Sequence, residues 1–266
     1  MNITPVNKLY DVTDLNDSSF FDLHTAFEVK HQELSTSHKP SGNHSQYWEY
    51  ATLIKSTNPA AGDTVLVTEG YRNPRSTLPF YLKDLGCNVY VCYKHHSSIS
   101  AYGMSTSAYE ATGINLINRN DWINIPDFGI NFDVIYCIKE LEHTHPSGDK
   151  YLSTTSYDEV LSVAKSTIDS WLTVSTCVAC THNLFGSNCN FESLSSLNGW
   201  TGSTSDYYHP FSSSRLTEFL AMYSISSDYE TNWETYYQNN TPLVSRIDQD
   251  RLNLDTLYTV ASFIIQ

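Results

Sequence analysis

The chain has 266 residues, enough to bury one large core, and 40% of them are hydrophobic. Charged residues make up only 17%, with 15 Lys plus Arg against 29 Asp plus Glu, so the net charge is −14. That balance repels polyanions and excludes a nucleic-acid partner, and no apolar run is long enough to cross a bilayer.

Residues 1–43 read as an irregular, histidine-dotted arm or lid, closed by STSHKPSGNHS. The start has no basic end followed by an apolar block, so no secretory leader is expected and an intracellular setting follows. Six cysteines in a chain of this length do not suggest a disulfide scaffold. Residues 44–266 read as a single α/β domain.

QYWEYATLIKS places Tyr47, Tyr50, Ala51 and Ile54 at helical spacing. PAAGD turns the chain into the apolar strand TVLVT. From Pro74 a helix with Leu78, Tyr81, Leu82 and Leu85 on one face runs to Gly86, a natural stop just past the last turn. CNVYVCY is the next strand, followed by a loop and a loose helix. INLIN and FDVIYCI are two more β-branched runs, and SYDEVLSVAKSTIDSWL is helical and leads into TVSTCV. This alternation predicts parallel strands joined by crossover helices. SRLTEFLAMYSISSDYE reads as a helix then a strand, and the final apolar strand of RLNLDTLYTVASFIIQ is expected antiparallel to the rest.

Three stretches carry a resemblance: YWEYATLIKSTNPAAGDTVLV, LPFYLKDLGCNVYVCY and FDVIYCIKELEHTHPSGDKYLS. In order and spacing they resemble class I S-adenosylmethionine-dependent methyltransferases over roughly residues 44–266. The resemblance implies a Rossmann-like α/β fold: a mixed, mainly parallel seven-stranded sheet with helices on both faces. It also implies S-adenosylmethionine as cofactor, with Glu69 as the acidic residue ending the first domain strand and Gly70 opening the turn behind it. An alternative alignment puts Val67 at the acidic position. In either alignment Tyr71, Arg72, Asn73 and Pro74 stand where the family has glycines that let the backbone approach the methionine moiety. The family's ribose-binding carboxylate falls at Tyr93, which can make one such hydrogen bond but not a bidentate pair. Asp121 and Trp122 match the adenine-holding position, or form a polar loop with one Trp on the core. Cys137, Ile138, Lys139 and Glu140 would lie over the cofactor or the acceptor.

Cys177, Cys180, His182 and Cys189 in CVACTHNLFGSNC have zinc-like spacing. The other reading has Cys177 ending a strand and facing the core while the rest line a loop. The missing second Cys-x-x-Cys pair argues against metal. Two functions stay open. One is a methyltransferase fold with an eroded cofactor pocket, serving as an interaction or structural module in a larger assembly or a homo-oligomer. The other is an active methyltransferase acting on a small molecule or glycan.

Overall fold

The computed structural model describes residues 2–34, 44–69, 77–93, 106–118, 129–138, 141, 157–185, 211–227, 239 and 258–266. Eight strands form one sheet among them: β1 (Asn7–Leu9), β2 (Thr64–Glu69), β3 (Asn88–Tyr93), β4 (Asn115–Asn118), β5 (Val134–Ile138), β6 (Val178–Phe185), β7 (Phe211–Ser212) and β8 (Tyr258–Ile265). Seven lie in the order β1-β8-β6-β5-β2-β3-β4, and the two-residue β7 pairs with the end of β6. Strands β2 to β6 are mutually parallel, and β8 runs antiparallel between β6 and β1. This is the mixed, mainly parallel sheet expected from the alternating pattern, with the final strand reversed as expected.

The central strands are apolar on both faces because helices cover both. On one face Leu66, Ile135, Cys137, Val178 and Phe263 meet α5 (Tyr157–Leu172) and α6 (Ser213–Ala221). Helix α5 contributes Leu161, Ala164, Ile168 and Trp171, a stripe at helical spacing, and α6 contributes Leu216, Phe219 and Leu220. On the other face Val65, Val67, Val89, Val134 and Tyr136 meet α2 (His44–Thr57) and α3 (Leu78–Asp84). A further short helix, α4 (Thr106–Ala111), precedes β4 and lays Tyr109 against Phe80 of α3. Gly86 follows α3 at φ +88°, a left-handed conformation in which a Cβ would meet that of Ala61 at 3.0 Å.

Two regions differ from the sequence reading. Residues 1–43 were expected to be irregular, yet they hold β1, a 3-10 turn (Val12–Asn16) and the 17-residue helix α1 (Ser18–Leu34). Asp17 caps α1 by accepting from the Phe20 N–H at 2.9 Å, and its carboxyl is held well below the usual range by hydrogen bonds from Ser19, Phe20 and Lys55. The buried residues of α1 are Phe20, His24, Phe27 and His31. Two histidines stand on the inward face, and this hid the helical period from an apolar-residue count. The second difference is at the sheet edge. A strand was expected after α6 in a run reaching residue 230; residues 222–227 of it form turn and irregular chain, with Asn7 of β1 donating to the Ser226 carbonyl at 3.0 Å, and residues 228–230 lie outside the described residues. The outer strand beyond β8 is instead supplied by the N-terminal segment.

Candidate functional site

In a doubly wound parallel sheet, ligands sit at the carboxyl ends of the strands, where successive crossovers leave a crevice. The register fixes which residues share that edge. Thr68 is level with Cys92 on one side and Cys137 on the other, and Glu69 is level with Ile138. Ile138 is level with Thr181, and Tyr93 with Asn118. The backbones of Glu69 and Tyr93, two of the residues singled out in sequence, therefore end adjacent strands in one row.

Gly70, Tyr71, Asp121, Trp122 and Cys189 lie outside the described residues, as do Lys139 and Glu140. Cys137 is described, and it is fully buried among Leu66, Ile135, Leu161 and Phe263. It lies one row below the strand ends, in register with Cys180. Burial first, then the neighbouring Cys137, pushes the Cys180 thiol well above its ordinary value. A thiol so placed stays protonated and behaves as a small hydrophobe.

The zinc-like spacing is broken by strand geometry. The expected loop after Cys177 is instead strand through Phe185, so successive side chains alternate between faces. Cys177 packs with the α2 side of the sheet and Cys180 with the α5 side. Alternation puts His182 on the side of Cys180, so the sheet separates Cys177 from both. No group of three or more His, Cys, Asp or Glu residues suited to a metal occurs among the described residues. No helix of the described residues is long and apolar enough to cross a membrane.

The layer above the site edge was not legible in sequence. Helix α2 is buried on nearly every side, and only Lys55 of its residues 47–57 is exposed. Thr57 Oγ1 meets the Tyr136 hydroxyl at 2.7 Å, fixing the C-terminal end of α2 on β5. Because α2 turns back into β2, its N-terminal half points toward the carboxyl ends of the strands. That half carries Glu49, a fully buried carboxylate. A single Glu within a Tyr-rich helix gives no periodic signal that it faces inward.

No family model and no curated protein matches the chain. Solved structures do. A cyclopropane-fatty-acyl-phospholipid synthase-like protein from Lactobacillus casei is similar over 91% of this chain and 100% of its own, at 10% identity and a TM-score of 0.50. Coclaurine N-methyltransferase bound to N-methylheliamine and SAH is similar over 97% of this chain and 88% of its own, at 11% identity and a TM-score of 0.49. With TrmN from Thermus thermophilus the likeness covers 51% of this chain and 37% of that one, at 12% identity and a TM-score of 0.37. Identities this low speak to architecture and not to chemistry. The chain resembles the class I S-adenosylmethionine-dependent methyltransferases and has their Rossmann-like fold.

Proposed function

We propose that this protein keeps the methyltransferase fold as a scaffold and no longer uses the cofactor pocket for catalysis, acting as an interaction or structural module. The observation that carries the reading is the row formed by the ends of β2 and β3. There β3 ends in Tyr93 where a bidentate carboxylate would hold ribose, and β2 runs into Gly70-Tyr71-Arg72-Asn73-Pro74 rather than a run of glycines. Two neighbouring hydroxyls need two acceptor oxygens, which one phenol does not supply. Pro74 also removes a backbone donor.

The magnitude decides how much this matters. Each hydrogen bond lost to a charged group costs roughly 1.5–3 kcal/mol, and each 1.4 kcal/mol is about a tenfold loss of affinity. A ribose clamp and several backbone donors together amount to three or more decades, on the order of micromolar to millimolar binding. The residues present therefore fit the cofactor poorly, and no chemical step is assigned to it. A chain with only 17% charged residues suits protein contact, including contact with a second copy, because charge is depleted at the centre of interfaces.

An active methyltransferase for a small molecule or glycan is the second reading. It is favoured by Glu69, which ends β2 and stands at the family's acidic position in one of the two alignments. In that case catalysis would rest on proximity and orientation of an acceptor atom. Calorimetric titration with S-adenosylmethionine and with its demethylated product separates the two. The scaffold reading expects no heat of binding at micromolar ligand.

A further inference from the structure

Helix α1 rests on α2 and α3 with one side only. Its buried residues, Phe20, His24, Phe27 and His31, fall within about 60° of the helix surface. Phe27 meets Tyr50 of α2 at 5.2 Å and Tyr81 of α3 at 4.5 Å between ring centroids, and His24 and His31 both meet Tyr47 of α2 edge-on. Lys30 closes this seat through Asp84 of α3 at 2.6 Å.

The far side of α1 is not the wholly polar face that a surface helix usually turns to water. Phe21 is 51% exposed and Val29 is 48% exposed, two of the four large hydrophobic residues exposed among the described residues. Phe21, Thr25 and Val29 follow one another in steps of four. They form one ridge about 12 Å long, centred about 130° around the helix from the buried stripe. Single exposed apolar residues are ordinary, but two on one ridge of one helix make a surface that fits the groove of an opposing helix.

Charge selects which helix. Asp22 and Glu33 flank the ridge on one side and Glu28 flanks it on the other. Lys30 is the only Lys or Arg in α1, and Glu33 and Asp84 hold it at 2.7 and 2.6 Å. An apolar ridge with acidic flanks is matched by an apolar ridge with basic flanks, the pairing that e and g positions make in coiled coils. A second copy would set like charges against each other on chains of net charge −14, and an anionic membrane surface would be repelled in the same way. We propose that the Phe21, Thr25 and Val29 ridge of α1 docks an amphipathic helix of a partner protein whose own apolar ridge is flanked by Lys or Arg. The proposal gives the interaction reading a surface and a partner class and rests on that reading. Cofactor titration reports on the pocket and peptide binding on α1, so the failure of one is distinct from the failure of the other.

The test is fluorescence anisotropy of the full chain with a labelled synthetic helical peptide carrying a leucine ridge flanked by lysines. The control peptide has glutamates in place of the lysines. The expected result is saturable binding of the lysine peptide, at least about tenfold tighter than the control and weakened by salt. Phe21→Gln with Val29→Gln leaves the charge unchanged and should weaken binding about tenfold at an unaltered Tm, since both side chains are exposed. Asp22→Asn with Glu28→Gln is the second variant and should weaken it as well. Absence of saturable binding overturns the proposal. So does binding that survives in the Phe21 and Val29 variant, which reports only general attraction to an acidic chain. A dimer in sedimentation equilibrium that the same variant dissociates also overturns it, and assigns the ridge to a second copy.

Discussion

The indole N–H of Trp48 donates to Asp14 Oδ2 at 2.7 Å, joining two residues 34 positions apart. The same carboxylate takes the Lys8 ammonium at 2.6 Å, and Lys8 lies over the Trp48 ring at 5.8 Å. Around this group Tyr10 and Phe20 pack on Trp48 and seal a small third core against Ala51. One half-buried carboxylate thereby ties the N-terminal strand to α2. Asp14→Ala removes two charge-assisted hydrogen bonds and leaves a buried indole N–H without its acceptor. The expected loss is about 2–3 kcal/mol, read as a lower urea midpoint. Asp14→Asn should recover part of it, because the amide oxygen still accepts from Trp48.

A second prediction concerns the turn after α3. Gly86 combines a positive φ with a Cβ clash at Ala61, and its N–H and C=O are both used, the latter accepting from Gly62 at 3.0 Å. Gly86→Ala should destabilise by at least about 1 kcal/mol in chemical denaturation. Gly62 has a similar φ of +92° but open space around its missing Cβ. Gly62→Ala should therefore cost less than Gly86→Ala, and the opposite order would contradict the packing described.

The buried thiols and phenols set the response to alkali. Burial pushes the Cys177 thiol up to about 12 from 9.0, and burial with Asp63 and Asp133 pushes Cys87 up to about 11. Tyr10 is raised to about 12, chiefly by burial. A group whose pKa is raised on folding holds its proton longer in the folded state. Its stabilising contribution is complete below the unfolded value and is lost as pH climbs toward the folded one. Stability should thus be level up to about pH 9 and then fall between 9 and 12. Cys177→Ala should flatten that decline relative to its own value at pH 8, measured by urea midpoints at pH 8, 9.5 and 10.5.

The pair Thr57 and Tyr136 gives a fourth test. The Thr57 hydroxyl donates to the Leu53 carbonyl at 2.8 Å, so in the contact with Tyr136 the phenol is the donor. Tyr136 is fully buried, and burial raises its phenol far above the ordinary value. Tyr136→Phe keeps the ring and removes the hydrogen bond, for an expected loss of about 0.5–1.5 kcal/mol. Thr57→Val, which also leaves the phenol without an acceptor, should cost more.

Much of the α/β core was legible because its signals are local and repeated. Val65, Val67, Val89, Val91 and Val134 stand in β-branched runs, and Leu161, Ala164, Ile168 and Trp171 keep a clean helical period. The N-terminal segment was not legible, because His24 and His31 fill inward positions of α1 and a three-residue strand has no periodicity to read. The pairing of β1 with β8 was not legible either, because which segment completes a sheet edge depends on tertiary competition and not on local propensity. At the site, Glu69 and Tyr93 were placed correctly at the ends of neighbouring strands, since strand ends follow from apolar runs. Glu49 was missed, because an isolated polar residue in a buried position carries no pattern.

The most direct test of the central claim is isothermal titration of the full chain with S-adenosylmethionine and with its demethylated product. A scaffold with an eroded pocket shows no saturable binding up to a few hundred micromolar, consistent with a loss of three or more decades in affinity. Saturable micromolar binding that weakens on Asp121→Ala would contradict it and restore the enzyme reading.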